Sequence, residues 1–149
     1  MYKIPVSVLV VIYTLDLQVL LLERADHPGY WQSVTGSQNE DETLVQTAVR
    51  EVTEETGLDV NNSQLKNWHI QNQYEIFQEW RWRYAPNITH NTEHVFGLRL
   101  PETVPVTVAD QEHIGFIWLP WQSAADKVFS ISNAQAIRSL VSRQKTNNL

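Results

Sequence analysis

The most constraining feature of the sequence is an apolar run close to its start, from Ile4 to Tyr13. Val and Ile occupy most of its positions, and polar residues hardly alternate with apolar ones. Such a run is typical of a β-strand that is buried on both faces. The run therefore predicts a strand in the interior of a layered domain, not an edge strand or a solvated one.

Shorter strand and helix patterns follow this run, and they are separated by turn residues. A polar turn at residues 14–16 leads into the second strand, and Gly36 is expected to end the third. The predicted strands are Gln18–Arg24, Trp31–Thr35, Trp68–Phe77, Trp80–Tyr84, Glu93–Leu100 and Gly115–Leu119, and the predicted helices are Thr43–Thr56 and about Asn133–Arg143. Strands, one strong helix, more strands and a final helix together predict an α+β layered domain.

The strongest helix signal in the chain extends from Thr43 to Thr56. Thr43 and Gln46 have the spacing of a capping box, and Gly57 stands where a left-handed residue often ends a helix. Five apolar residues recur at helical spacing and form one face, namely Leu44, Val45, Ala48, Val49 and Val52. In the terminal helix, Ser132 and Gln135 form a second capping-box pattern.

Length and composition restrict the classes of function. A chain of 149 residues fits one domain, 1–149, with a single core. The formal net charge of −6, from 17 acidic against 11 basic residues, argues against general electrostatic binding of nucleic acid. An acidic protein still binds a polyphosphate if metal cations lie between the two negative partners. Because the chain has no cysteine, disulfides, thiolate metal sites and cysteine nucleophiles are excluded.

Neither a membrane span nor a secretory signal is visible in the sequence. The longest apolar run is much shorter than the roughly 18 residues that a membrane helix needs. The first residues lack a charged segment followed by an apolar stretch and a small-residue cleavage site. We therefore expect a soluble cytoplasmic protein without a membrane partner, and the sequence leaves both a monomer and a homodimer open.

Three carboxylates of the strong helix, Glu51, Glu54 and Glu55, are spaced three and four residues apart. This spacing places them on one side of the helix, at the rim of its apolar face. There like charges repel each other unless a cation joins them. The alternative is a solvated helix surface with Arg50 and Glu54 as an ion pair four residues apart.

The residues around these acids decide between the two interpretations. Gly36 is followed after five residues by Glu42, and after seven more by the segment Arg50-Glu-Val-Thr-Glu-Glu-Thr-Gly-Leu58. Every specified position of this pattern matches the Nudix box, GX5EX7REUXEEXGU, where U is aliphatic. The chain thus resembles the Nudix hydrolase family, and the resemblance implies an α/β/α sandwich around a mixed β-sheet. Ser37 and Asp41 replace glycines that many members have in the loop, and neither position is a metal ligand.

The resemblance also implies a metal-assisted phosphoanhydride hydrolysis. Glu51, Glu54 and Glu55 would bind Mg²⁺, with Mn²⁺ as an alternative, and Gly36 would offer its carbonyl oxygen. Arg50 would orient one of these acids, and Glu42 would support the loop–helix junction or the outer coordination sphere. The family is not uniform about its general base, so either a box glutamate such as Glu54 or a distal acid would serve. Glu112 is the distal candidate, either as base or as a further metal ligand, and His113 beside it is a candidate substrate contact.

Sequence stretches outside the box are similar to one bacterial branch of the family. They are Pro5–Tyr13, Trp31–Ser37, Arg83–Pro86 and Asn91–His94. Members of that branch are described as dihydroneopterin triphosphate diphosphatases or dATP pyrophosphohydrolases. The resemblance implies cleavage between the α and β phosphates of a small triphosphate, with release of diphosphate in the folate pathway.

Such a substrate needs a flat apolar slot, a few hydrogen bonds to the ring edge and cations for its phosphates. Lys3, Arg24 and Thr35 are candidates for contacts with phosphate or ring edge. Tyr74, Phe77, Trp80 and Trp82 are candidates for stacking on the ring. In residues 80–84 aromatic rings alternate with arginines, which also fits a half-buried strand and, less well at this net charge, RNA binding.

Two other functions share the same resemblance. A dinucleoside polyphosphate hydrolase has the same box, and Tyr74 lies at about the distance downstream where that branch carries a tyrosine. A non-catalytic Nudix-fold ligand-binding protein is less well supported, because such proteins usually lose acids of the box and this chain has lost none.

Overall fold

The strand predicted from the first apolar run is the centre of a seven-stranded mixed sheet. The computed structural model describes residues 1–147. Its strands are β1 (Val6–Thr14), β2 (Gln18–Arg24), β3 (Trp31–Gln32), β4 (Val34–Ser37), β5 (Leu65–Glu75), β6 (His90–Leu100) and β7 (His113–Pro120). Its helices are α1 (Leu44–Thr56), α2 (Trp121–Lys127), α3 (Ile131–Arg138) and α4 (Leu140–Asn147), and two short 3-10 helices lie at Asn62–Gln64 and Gln78–Arg83.

Strand β1 has neighbours on both of its edges. Along one edge it pairs in parallel with β6, from Val6 opposite Thr92 to Thr14 opposite Leu100. Along the other edge it pairs antiparallel with β4 and, beyond the turn, with β2. β5 extends the sheet beyond β6, and both β3 and β7 pair with β2. One parallel pair among antiparallel ones makes the sheet mixed.

Side chains of β1 point alternately into two separate cores, as the pleat of a strand requires. On one face Val8 and Val10 pack with Ala48 and Val52 of α1. On the other face Leu9 and Val11 pack with residues of α2, α3 and α4, which are Ala124, Ala125, Ala136, Ile137 and Leu140. The predicted burial of β1 on both faces and the α/β/α sandwich are therefore both confirmed.

Local signals in the sequence correctly predicted helix α1 and both of its ends. The Thr43 hydroxyl accepts a hydrogen bond from the backbone N–H of Gln46, and the Gln46 side chain accepts one from the backbone N–H of Thr43. At the other end Gly57 has φ of 74°, a left-handed conformation that glycine adopts without steric cost. The two ends fix which residues of the helix face the sheet.

Two of the predicted strands differ from the structure. The segment Trp31–Thr35 forms two strands that are interrupted at Ser33, and Gly36 lies inside β4 instead of ending it. Residues 80–84 form most of a 3-10 helix, so the strand predicted from their alternation is wrong. Trp80 of this helix stacks on Phe77 with 5.0 Å between ring centroids, a local contact that holds the turn.

The terminal helix also differs from its prediction. It begins at Ile131 and is capped by Ser130, whose hydroxyl accepts from Asn133 N–H, so Ser132 is not the cap. The helix is broken after Arg138 and continues as α4, and helix α2 was missed altogether. Within residues 1–147, no helix has the length and apolarity to cross a membrane.

A reciprocal pair of hydrogen bonds ties helix α3 to the interruption between β3 and β4. Ser33 N–H donates to Asn133 Oδ1, and Asn133 Nδ2 donates to the Ser33 hydroxyl, both at 2.9 Å. Both residues are buried. We call this pair of bonds the Ser33–Asn133 clamp.

Candidate active site

The first glycine of the box is required by the close approach of a carboxylate. Gly36 lies on β4 opposite Val8, and the Glu51 side chain of α1 packs directly over it. A Cβ atom at position 36 would lie 2.0 Å from Cδ of Glu51, far inside van der Waals contact. Because glycine has no Cβ, the Glu51 side chain fits against the strand. The side chain of any other residue at position 36 would fill this space.

Replacing Gly36 by alanine should therefore displace Glu51. We expect a loss of about 1–3 kcal/mol in the free energy of unfolding, as for an overpacked site. Because a displacement of about 1 Å costs about a hundredfold in rate, turnover should fall by at least that factor. The matched control is Gly115→Ala, since a Cβ there meets nothing within 4 Å. Equal activity of the two variants in a steady-state assay would contradict this reading of Gly36.

Arg50 holds the loop and the helix of the box together. Its Nε and Nη2 donate to the two carboxylate oxygens of Glu42 at 2.8 and 3.0 Å, and Nη2 also donates to the Ser37 carbonyl at 2.9 Å. Its Nη1 donates to Glu51 at 2.6 Å and reaches Glu54 at 3.4 Å. The hydrogen bonds from Arg50 lower the pKa of Glu42 to about 2, so this carboxylate is ionised at neutral pH. Arg50 thereby fixes the orientation of the Glu51 carboxylate.

The buried pair Glu51 and Glu55 carries the strongest electrostatic strain in the site. Burial raises the pKa of both carboxyls, and their mutual interaction raises that of Glu55 further. Glu55 is 1% exposed, and neither of its carboxylate oxygens has a hydrogen-bond partner within residues 1–147, although the Thr35 backbone faces it. Two adjacent buried carboxylates, of which Glu55 has both oxygens unpartnered, form a site that a cation would stabilise.

Glu54 stands apart from this pair. Its side chain is 54% exposed and is turned towards Arg50. Consequently no three carboxylate or histidine side chains among the described residues 1–147 are arranged as ligands of one metal ion. The donor set nevertheless fits a hard divalent cation, because it consists of carboxylate oxygens and those of Glu55 are unpartnered.

A cavity of about 940 Å³ opens beside the box and contains most of the predicted site residues. Its lining includes Lys3, Arg24, Thr35, Gly36, Glu51, Tyr74, Phe77, Trp80, Glu112 and His113. The other predicted residues, Arg50, Glu54 and Glu55, do not line this cavity, and Trp82 is 73% exposed outside it. A second cavity, of about 880 Å³ around Trp68 and Arg143, contains none of the predicted residues.

The structure places Glu112 and His113 in different environments, although they are neighbours in sequence. Glu112 is exposed in the cavity, and its carbonyl accepts a hydrogen bond from Ala25 N–H at 2.9 Å. Its negative charge contributes to the raised pKa of Glu55, after burial and the neighbouring Glu51, so the two acids interact electrostatically. His113 is the first residue of β7 and is buried, with its Nε2 3.7 Å from Glu55 Oε1. The predicted strand began only at Gly115, which left His113 in the preceding loop, whereas the structure places it in β7.

Burial and the nearby Arg24 lower the pKa of His113 to about 4, so its imidazole is neutral at pH 7. The Arg24 guanidinium is paired with Asp26 at 2.7 Å and lies over the Trp80 ring at 4.4 Å. Lys3 has a lowered pKa, mainly from desolvation and from the nearby Arg83, while Glu51 and Glu112 act in the opposite direction. Positive and negative side chains therefore meet at one side of the cavity.

Aromatic side chains and the buried polar residues Asn91 and Glu93 line the other parts of the cavity. Phe77 and Trp80 stack on each other, and Phe129 packs against both. The Tyr74 hydroxyl accepts from Asn91 Nδ2 at 3.1 Å, and burial raises the pKa of Tyr74 to about 12. Asn91 and Glu93 were not predicted as site residues. They lie in the polar first half of β6, within the stretch Asn91–His94 that resembles one branch of the family, and nothing in this pattern distinguishes them from their polar neighbours.

Comparisons with known proteins agree with this fold. The family model described as NUDIX domain matches residues 3–140. The chain is 48% identical over 143 residues to the dihydroneopterin triphosphate diphosphatase of Escherichia coli K12, covering 94% of each chain. It is 45% identical over 141 residues to the protein of the same name from Haemophilus influenzae, covering 92% of this chain and 87% of that protein. A solved structure of the E. coli dihydroneopterin triphosphate pyrophosphohydrolase matches with a TM-score of 0.88 and 46% identity, over 96% of this chain and 99% of that one.

The sandwich, the box and these matches together establish that the chain belongs to the Nudix family. It is a Nudix pyrophosphohydrolase, and the resemblance inferred from the box is confirmed. Enzymes of this family act on small phosphate compounds and use divalent metal ions. Among its relatives, those named above share the greater part of their length with it.

Proposed function

We propose that the chain hydrolyses dihydroneopterin triphosphate between its α and β phosphates, giving the monophosphate and diphosphate, with Mg²⁺ as the cation. The observation that carries this proposal is the identity of almost half of the residues, over nearly the whole chain, with enzymes named for that substrate. The cavity beside the box supports it, since one cavity offers aromatic rings, cations and box carboxylates.

Glu51, Glu54, Glu55 and the carbonyl of Gly36 would hold the cation. When bound, Mg²⁺ would supply the positive charge that a polyphosphate needs against attack by water. Arg50 keeps the Glu51 carboxylate in place through its bonds to Glu42 and Ser37. Without Arg50, this carboxylate would lose the charged donor that orients it.

The remaining roles belong to the cavity wall. Lys3 and Arg24 would bind the outer phosphates, and Thr35 would contact the phosphate nearest the box. Glu112, exposed in the cavity, would accept the proton of the attacking water at its carboxylate. Phe77 and Tyr74 would face the ring, and neutral His113 would position the phosphate chain or Glu55.

The products decide the position of cleavage. We expect the protein, incubated with Mg²⁺ and dihydroneopterin triphosphate, to release diphosphate and the monophosphate in equal amounts, with dATP hydrolysed more slowly. Chromatography and a diphosphate-specific assay measure both products, and a parallel incubation with diadenosine tetraphosphate tests the alternative substrate class. Release of orthophosphate alone, or faster hydrolysis of the dinucleotide, would show that the proposed reaction is wrong.

A further inference from the structure

A buried carboxylate that has no cationic partner lies in the wall of the cavity. Glu93 is 4% exposed and borders the cavity from β6, where it lies opposite Ser7 of β1 and Asn72 of β5. Asn72 Nδ2 donates to Glu93 Oε1 at 3.3 Å, and the Ser132 hydroxyl also faces this carboxylate. Among residues 1–144, whose side chains the structure describes, no Lys, Arg or His forms an ion pair with it.

A second acceptor lies two residues earlier on the same strand and on the same face. Asn91 is 1% exposed, and its Nδ2 donates to the Ser7 hydroxyl at 2.7 Å and to the Tyr74 hydroxyl at 3.1 Å. Its Oδ1 is buried and has no hydrogen-bond partner within the described residues. The amide is held by its donor side, so its acceptor side is presented in a fixed direction.

Acceptors of this kind do not suit the phosphates of the substrate. A carboxylate repels phosphate unless a cation separates them, and the cations of the cavity have other partners. Lys3 interacts with Glu51 and Glu112, and both Arg24 and Arg83 pair with Asp26. A buried carboxylate is costly unless donors satisfy it, and two weak neutral donors satisfy it only in part. The ligand group that fits beside Glu93 and Asn91 is therefore rich in N–H donors.

We propose that Glu93 and Asn91 select the ring of the substrate by binding a 2-amino-4-oxopyrimidine edge. That edge, which pterins and guanine share, presents a ring N–H beside an exocyclic NH₂, two parallel donors that match the two oxygens of a carboxylate. The second amino hydrogen would be accepted by Asn91 Oδ1. Adenine offers a ring acceptor at the corresponding position, so Glu93 would repel it. This inference rests on the proposed function, and it names the part of the substrate that is recognised.

The nucleotides dGTP and dITP provide a direct test, since they differ only by the 2-amino group. We expect kcat/KM of the wild-type protein to be roughly 10–100-fold higher for dGTP, the range for a hydrogen bond to a charged group. In Glu93→Gln the amide presents a donor where the edge needs an acceptor, and the ratio should fall close to one. A ratio near one in the wild type, or the same ratio in both proteins, would overturn the inference.

The variants need controls for folding and for a general loss of activity. Glu93→Gln removes a buried charge without changing its shape, so we expect it to fold, and its melting temperature is measured. If it does not fold, Glu93→Asp, which withdraws the charge by one methylene group, must lower the dGTP-to-dITP ratio for the inference to stand. Glu102→Gln is the matched control, because Glu102 is exposed just beyond β6 and outside the cavity. Its dGTP-to-dITP ratio should equal that of the wild type.

Failure of the inference and failure of the proposed function give different results. If the wild type hydrolyses dihydroneopterin triphosphate but does not distinguish dGTP from dITP, the function stands and the role of Glu93 is wrong. If it distinguishes these two nucleotides but leaves dihydroneopterin triphosphate intact, the ring-edge inference stands and the proposed substrate is wrong.

Discussion

Glu55→Gln should abolish most of the activity and at the same time stabilise the metal-free protein. Loss of a charged metal ligand is expected to lower turnover by about a thousandfold, which corresponds to about 4 kcal/mol of transition-state stabilisation. The gain in stability follows from the raised pKa of the buried Glu55 beside Glu51. Keeping this carboxyl ionised in the folded state costs free energy, and a neutral amide of the same shape avoids that cost.

The pH dependence of this gain has a defined sign. A carboxyl whose pKa is raised by folding lowers the stability as pH rises through its unfolded value of about 4.3 towards its folded value. The difference in melting temperature between Glu55→Gln and the wild type, measured with a chelator, should therefore be present at pH 7 and vanish below about pH 4. Added Mg²⁺ should reverse the order, because it stabilises only the protein that binds it.

Glu54→Gln is the internal comparison. We expect a large loss of turnover here too, but no gain in stability, because Glu54 is largely exposed and its neighbour is Arg50. Wild-type turnover of either variant at saturating Mg²⁺ would disprove its role as a metal ligand. An unchanged melting temperature of metal-free Glu55→Gln would show that the buried pair is not strained.

Glu112→Gln should lower kcat by about 10²–10⁴-fold, the contribution of a general base, with little change in thermal stability. The small stability effect is expected because the side chain is exposed, and the backbone bond from Ala25 to the Glu112 carbonyl is retained. Asp110→Asn is the matched control, since Asp110 is exposed in the same loop but does not line the cavity. Its kcat should equal that of the wild type.

Titration with metal separates the two possible roles of Glu112. If the carboxylate is the base, raising Mg²⁺ or Mn²⁺ leaves the activity of the variant low. If it is a ligand of an additional cation, higher metal concentrations recover part of the rate. A variant with full activity at ordinary Mg²⁺ would refute both roles and would leave a box glutamate as the base.

Predictions from the sequence were most accurate where local signals determine the structure. The capping box at Thr43 and the glycine at position 57 specify the ends of α1 within a few residues, so the position of its acids followed directly. The Val and Ile run of β1 likewise has one structural interpretation, because a strand apolar on both sides must be covered on both sides. These elements needed no knowledge of their distant neighbours.

The wrong predictions concern residues whose structure depends on distant partners. Alternation of tryptophan and arginine in residues 80–84 fits a strand, yet Trp80 stacks on Phe77 and under Arg24, and the backbone forms a 3-10 helix. The last strand was predicted to begin at Gly115, with His113 in the loop before it, whereas the pairing of β7 with β2 includes His113 and buries it. Such contacts have no periodic signal in the sequence.

Glu93 and Asn91 were missed for a related reason. Polar residues in a strand usually face solvent, and the sequence does not reveal that β5 and β1 enclose them on both sides. Only the register of the three strands places Asn72, Ser7 and Tyr74 next to them. The side of the cavity around Glu93 and Asn91, where the ring would bind, is thus determined by long-range strand pairing. The side formed by the Nudix box is determined by one contiguous segment of the sequence.

The Ser33–Asn133 clamp has a consequence for redesign of the substrate range. The first turn of α3 lines the cavity, and the clamp joins this turn to Ser33, the residue just before strand β4, which carries Gly36. A grafted α3 without an asparagine at position 133 would break both bonds and leave the N–H and the hydroxyl of Ser33 buried and unsatisfied. Specificity grafts should therefore keep Asn133, or exchange residues 33–37 and 130–135 together as one module.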